Sequence, residues 1–129
     1  MTKPVFEIDC DGSYWYFDDK CDKYHRENGP AVEKVDGYQA WYLNGEYHRE
    51  NGPAVIYPNG NEFWYLNGKF HREDGPAIEY ADGSKEWYLN GELHREDGPA
   101  VENADGSKEW YLNGAKRRKP KNWNVLKLG

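Results

Sequence analysis

The chain has only two cysteines and one methionine, and no apolar run near the roughly 18 residues that a membrane-spanning helix requires. Its first residues, Met1-Thr2-Lys3-Pro4-Val5-Phe6, hold no hydrophobic stretch of leader-peptide type. These absences point away from a membrane span and from a cysteine-rich secreted scaffold, and toward a cytoplasmic chain of a bacterium or an infected host cell. Cys10 and Cys21 are either two reduced thiols or one disulfide stapling the N-terminal segment. Acid is lacking at one place only: residues 115–129 hold six Lys and Arg and no Asp or Glu. With a formal net charge of −6 overall, residues 1–114 therefore carry −12. An acidic body repels nucleic acid and anionic lipid, so direct nucleic-acid binding is disfavoured; the basic tail alone would attract them, or would neutralise the acidic body.

At 129 residues the chain has room for one domain. Aromatics reach 16%, with eleven Tyr and six Trp, so rings must supply much of the buried apolar area. The fourteen Gly and seven Pro would signal disorder if scattered. They are periodic instead. Trp41, Trp64, Trp87 and Trp110 are 23 residues apart, and His25, His48, His71 and His94 keep the same step. So do the Gly-Pro-Ala glycines (Gly29, Gly52, Gly75, Gly98) and the Asp/Asn-Gly steps at Asp36, Asn59, Asp82 and Asp105. A fixed period of this length marks an array of supersecondary units that stack on one another.

The unit reads as short strands. Lys85-Glu86-Trp87-Tyr88-Leu89 is rich in strand formers, and Asn90-Gly91 is a two-residue hairpin signal. That loop sets Leu89 opposite Glu92, Tyr88 opposite Leu93, Trp87 opposite His94 and Glu86 opposite Arg95. One face then carries Tyr88, Leu93 and a Glu86–Arg95 ion pair; the other carries Trp87, Leu89 and His94. At Gly-Pro-Ala, glycine is expected to supply unusual backbone angles and proline to end the pairing. The expected fold is all-β: an elongated antiparallel meander of about five stacked hairpin repeats over residues 1–129. It has an irregular first unit at 5–31, regular units at about 32–114 and a basic capping segment at 115–129. Trp15, Trp41, Trp64, Trp87 and Trp110, with Gly45, Gly68, Gly91 and Gly114, are the expected framework. The first unit is read as three residues longer between Trp15 and His25, with a bulged loop. Asn122 to Val125 alternates and is a candidate closing strand.

These motifs resemble the MORN repeat family, whose unit is also 23 residues long. The matching residues are Asn44-Gly45 with His48, Asn67-Gly68 with His71, Asn90-Gly91 with His94, and Tyr57-Pro58-Asn59-Gly60. The wording diverges where Arg26, Arg49, Arg72 and Arg95 follow His, and at Gly-Pro-Ala. The resemblance covers about residues 5–114 and implies a β-hairpin stack that scaffolds proteins; some such proteins are proposed to touch membranes. Similar short arrays occur in bacterial and phage-type proteins.

No catalytic set is legible. Equivalent histidines on a ladder stand about 9–10 Å apart, too far to share a zinc ion; each is expected to pack on its cross-strand Trp. The repeated acids suit turns better than an active site, which needs unequal partners. No cofactor, metal or enzymatic activity is expected. Arg49, Arg72 and Arg95 beside Trp could stack bases, but cross-strand acids such as Glu62 and Glu86 offer them partners; Arg49, facing Ala40, lacks one. The expected function is a non-enzymatic protein-binding module. Its ladder face consists of His48, Arg49, Glu50, His71, Arg72, Glu73, Asp74, His94, Arg95, Glu96 and Asp97, with the first-unit acids Asp18, Asp19 and Asp22. The alternative is a small acidic inhibitor, of phage origin, that mimics DNA and blocks a nucleic-acid-binding bacterial complex. The partner protein is unnamed by the sequence, and self-association stays open.

Overall fold

The computed structural model describes residues 5–121. It is all-β. Strands run from Val5–Ile8 to Ala115–Arg117, and neighbouring strands of the long sheet are antiparallel. The candidate strand Asn122 to Val125 lies outside the described residues.

Each regular unit contributes to two hydrogen-bonded layers. The first is an open eleven-stranded sheet. Its interior rungs alternate Trp-side strands (Gln39–Ala40, Glu62–Phe63, Lys85–Glu86) with strands that follow Gly-Pro-Ala (Val55–Ile56, Ile78–Glu79, Val101–Glu102). Ile78 faces Phe63 on one side and Glu86 on the other, so the register repeats unchanged. The second layer is a row of small hairpins, Tyr42–Leu43 with Glu46–Tyr47, Tyr65–Leu66 with Lys69–Phe70, and Tyr88–Leu89 with Glu92–Leu93. The expected Tyr88–Leu93 and Leu89–Glu92 pairs are present.

Asn-Gly closes every regular hairpin because both residues must be left-handed. Asn67 has φ 50° and Gly68 φ 77°, the backbone of a type I′ turn. Successive hairpins are tied to each other. The Arg49 amide donates to the Tyr65 carbonyl at 3.1 Å, and the Gly68 amide donates to the Tyr47 carbonyl at 2.9 Å. The same two bonds recur at all four junctions, the last being Arg95 to Tyr111 and Gly114 to Leu93. Five units are thus stacked in register.

The layers meet where Trp and Ala pair. The amides of Trp41, Trp64 and Trp87 donate to the carbonyls of Ala54, Ala77 and Ala100 at 2.7–2.8 Å. Those alanines are fully buried, and together with Val55, Ile78 and Val101 they form the aliphatic seam. The alanine methyl is fully enclosed at the joint. Rings fill the space beside it: Phe17, Tyr24, Tyr42, Tyr47, Tyr65, Phe70 and Tyr88 stack in sequence with centroids 4.5–5.2 Å apart. This is the spacing at which aromatic pairs gain about 0.5–1.5 kcal/mol beyond their burial. The aliphatic-poor composition therefore still builds a continuous core.

The first unit departs from its expected register. The Tyr16 amide donates to the Ala31 carbonyl and the His25 amide to the Tyr16 carbonyl, the bonds that Trp41 makes in the next unit. Tyr16, not Trp15, holds the Trp position; Trp15 pairs with Val32 at the site of Ala40. The insertion is then two residues, not three. The longer loop is closed by Asp18, whose Oδ1 accepts from the Lys20 and Asp22 amides, and it passes through a left-handed Cys21 at φ 60°. Cys10 and Cys21 are free, exposed thiols, so no disulfide staples this segment.

Candidate functional site

The His-Arg-Glu-Asp/Asn-Gly-Pro segments line up along one side of the array. Between consecutive segments lie three equivalent clefts. The largest, about 670 Å³, is lined by Arg72, Glu73, Asp74, Trp87, Leu89, His94, Arg95, Glu96 and Asp97. The second repeats this set one unit earlier with Arg49, Glu50, Asn51, Trp64, Leu66, His71 and Arg72. The third has Arg26, Glu27, Asn28, Trp41, Leu43, His48 and Arg49. The expected grouping of Trp87, Leu89 and His94 on one face is therefore present, and the candidate residues from His48 to Asp97 share one surface. Asp18, Asp19 and Asp22 do not join it; they sit at the hairpin tip of the first unit. There Asp18 and Asp22 share a hydrogen bond, which lowers the Asp18 carboxyl and raises that of Asp22.

Each arginine is held in a sandwich. The guanidinium carbons of Arg49, Arg72 and Arg95 lie 3.9, 3.8 and 3.9 Å from the ring centroids of Trp41, Trp64 and Trp87. On the other side is the glycine of Gly-Pro-Ala: a Cβ on Gly52 or Gly98 would stand 2.7 Å from the arginine Cζ. None of these glycines has positive φ. They are needed for close approach rather than for backbone angles, which corrects the sequence reading. Proline supplies the third contact. Arg49, Arg72 and Arg95 donate from Nη1 to the carbonyls of Pro53, Pro76 and Pro99.

The expected Glu86–Arg95 ion pair is not formed. Glu86 accepts instead from the Tyr88 hydroxyl at 3.0 Å. Arg95 pairs with Asp97 at 3.0 Å and with Glu102 at 2.8 Å, and Arg72 pairs with Asp74 and Glu79. Stacking on the indole pulls the guanidinium off the strand axis, away from its cross-strand residue and toward the loop acids. The Arg72 contact holds the Asp74 carboxyl below its usual range. At Arg49 the partners are absent from the sequence, because Asn51 replaces the loop Asp and Ile56 replaces the strand Glu. Its burial lowers the guanidinium pKa, and the charge of Glu62 offsets part of that.

The histidines also have a task beyond their pairing with Trp. The His94 amide donates to the Trp87 carbonyl as expected. Its Nδ1 accepts from the Asn113 amide of the next unit at 2.9 Å, and His25, His48 and His71 do the same for Asn44, Asn67 and Asn90. Each ring thus tethers the following Asn-Gly turn, with Nδ1 as the acceptor. The opposite Nε2 atoms face Glu27, Glu50, Glu73 and Glu96 at 3.8 Å. Among the described residues no three His, Cys, Asp or Glu side chains converge to hold a metal ion. No helix among them is long and apolar enough to cross a membrane.

The arginine sandwich and the histidine tether were not legible as such in the sequence. Their signal was present as the glycine of Gly-Pro-Ala always three residues after Arg, and Asn always 19 residues beyond His. No protein-family model matches this chain, and no curated protein matches it.

Proposed function

We propose that the chain is a non-enzymatic docking module of divergent MORN-like type, and that the row of clefts is the face that a partner protein reads. One observation carries this: the same side chains line three successive clefts in the same order. A repeated surface suits an extended partner that makes several equivalent contacts. A catalytic pocket needs unequal partners, and these clefts are copies. A guanidinium already stacks on one face of each indole and competes with bases for the ring, and the charge of −12 over residues 1–114 opposes nucleic acid.

The test uses the full chain as bait and a double variant, Glu73→Lys/Glu96→Lys, whose side chains point outward with 84% exposure. Capture of partner proteins by wild type and at least about tenfold weaker capture by the variant is the expected result. A Lys20→Glu control at the first hairpin tip should leave capture unchanged. Equal capture by wild type and the Glu73/Glu96 variant would remove the reading.

The outward rim carboxylates support a second reading, an acidic inhibitor that occupies a basic groove in place of DNA. It demands that the captured protein be a nucleic-acid binder, that DNA compete, and that affinity collapse with added salt. Binding that survives high salt excludes it.

A further inference from the structure

We propose that the cleft row is also the seat for the basic run of a second copy of this chain, so that the protein associates with itself through its Arg118–Lys121 segment. This rests on the reading of the row as a docking face and names an occupant for it.

The first argument is charge. The rim presents the outward carboxylates Glu50, Glu73 and Glu96, beside Asp74 and Asp97 that Arg72 and Arg95 already pair, and the same chain carries the complement of those glutamates, +6 over residues 115–129. Within one copy the described part of that complement, residues 115–121, is little used. Lys116 pairs with Glu109 at 3.0 Å. Lys119 and Lys121 make no ion pair among the described residues.

The second argument is spacing. Two strands advance the sheet by about 9.4–9.8 Å per unit. Pro120 lies inside the basic run and biases Lys119 toward the polyproline conformation. That helix has three residues per turn and rises about 3.1 Å per residue, so side chains three apart share a side and stand about 9.3 Å apart. Arg118 and Lys121 are three apart. Their spacing matches that of successive clefts. The floor of each cleft, such as Trp87 with Leu89, gives a lysine or arginine stem an apolar surface while its head meets the rim acids. A single copy cannot lay its own run lengthwise along the row, because Arg117 is anchored opposite Trp110 at the end of the array.

The experiment is sedimentation velocity on the full chain and on two charge variants. One has an acidic run, Lys119→Glu/Lys121→Glu; the other has a basic rim, Glu73→Lys/Glu96→Lys. Wild type should sediment above the 15.1 kDa monomer at about 0.02 M salt and revert to monomer at about 0.5 M, where screening acts within about 4 Å. Each variant alone should be monomeric. Their 1:1 mixture should associate again, since the basic run of one then meets the acidic rim of the other, and this recovery also shows that both are folded. A wild type that stays monomeric at low salt, an acidic-run variant that still associates, or a mixture that does not, overturns the inference. None of these touches the docking reading, which falls only if the rim variant captures partners unchanged.

Discussion

At the scale of single residues, the arginine sandwich decides which positions tolerate change. Gly98 lies beneath a guanidinium that Asp97, Glu102 and the Pro99 carbonyl all clamp. Gly98→Ala places a methyl 2.7 Å from Arg95 Cζ, and the expected cost is about 1–3 kcal/mol in chemical denaturation. Gly52→Ala meets the same 2.7 Å contact under Arg49, which makes no ion pair among the described residues and feels Glu62 only at longer range. That arginine can lift away, so Gly52→Ala should cost clearly less. Equal losses at the two sites would refute the clamp. Arg95→Ala/Gly98→Ala should be less destabilised than the two single changes summed, because the clash vanishes with the side chain. The sequence showed that Gly-Pro-Ala mattered but assigned the glycine to backbone angles; its contact lies three residues away in the chain and depends on where Trp sends the guanidinium. For the same reason Glu86 looked like the partner of Arg95 in the strand register, although the side chains diverge.

At the scale of the hairpin, turn chemistry and ring burial set the stability. Asn67-Gly68→Ala-Ala forces two alanines into left-handed backbone, at roughly 1–2 kcal/mol each. The new methyl at Gly68 would also stand 3.0 Å from Glu46 Oε2. A fall in stability of about 2–4 kcal/mol is expected, and an unchanged melting temperature would show that the turn does not hold the unit. The ring stack makes a separate prediction about alkali. Burial, with the charges of Tyr47, Tyr57 and Tyr80, pushes Tyr65 up to about 12, and burial also raises Tyr42 and Tyr88. A phenol with a raised folded pKa contributes stability that is intact below the unfolded value near 10 and is lost as pH climbs through the folded value. Stability should therefore drop between about pH 10 and 12, with tyrosinate absorbance rising together with loss of fold. Tyr65→Phe should make the drop shallower; an identical profile would separate Tyr65 from the alkaline transition. These hairpins were the most legible part of the sequence, because Asn-Gly and the Tyr–Leu alternation are local signals. The first unit was misread for the same reason: Trp15 matches the repeat by residue type, while backbone pairing across to Ala31 selects Tyr16.

At the scale of the whole molecule, the array is nearly one-dimensional. Each unit bonds to its neighbours through the sheet rungs, two hairpin amides and one histidine, and these ties recur at every junction. Stability should then be a sum of unit and junction terms, so a whole unit can be removed. Deleting residues 64–86 joins Phe63 to Trp87 and restores the period of 23, with every turn and tether intact. The shortened chain should fold cooperatively, with a lower melting temperature than wild type. Deleting 64–75 removes a half-unit, leaves Phe63 joined to Pro76 and breaks the register, so it should not fold although it loses fewer residues. The two deletions separate repeat stacking from mere chain length: if both unfold, the interactions that hold the array reach beyond nearest neighbours. The whole-unit deletion also bears on function. It reduces three clefts to two while leaving each remaining cleft complete, so a partner that bridges the row should bind more weakly by the contribution of one cleft. A partner that reads a single cleft would bind the shortened chain as well as it binds wild type.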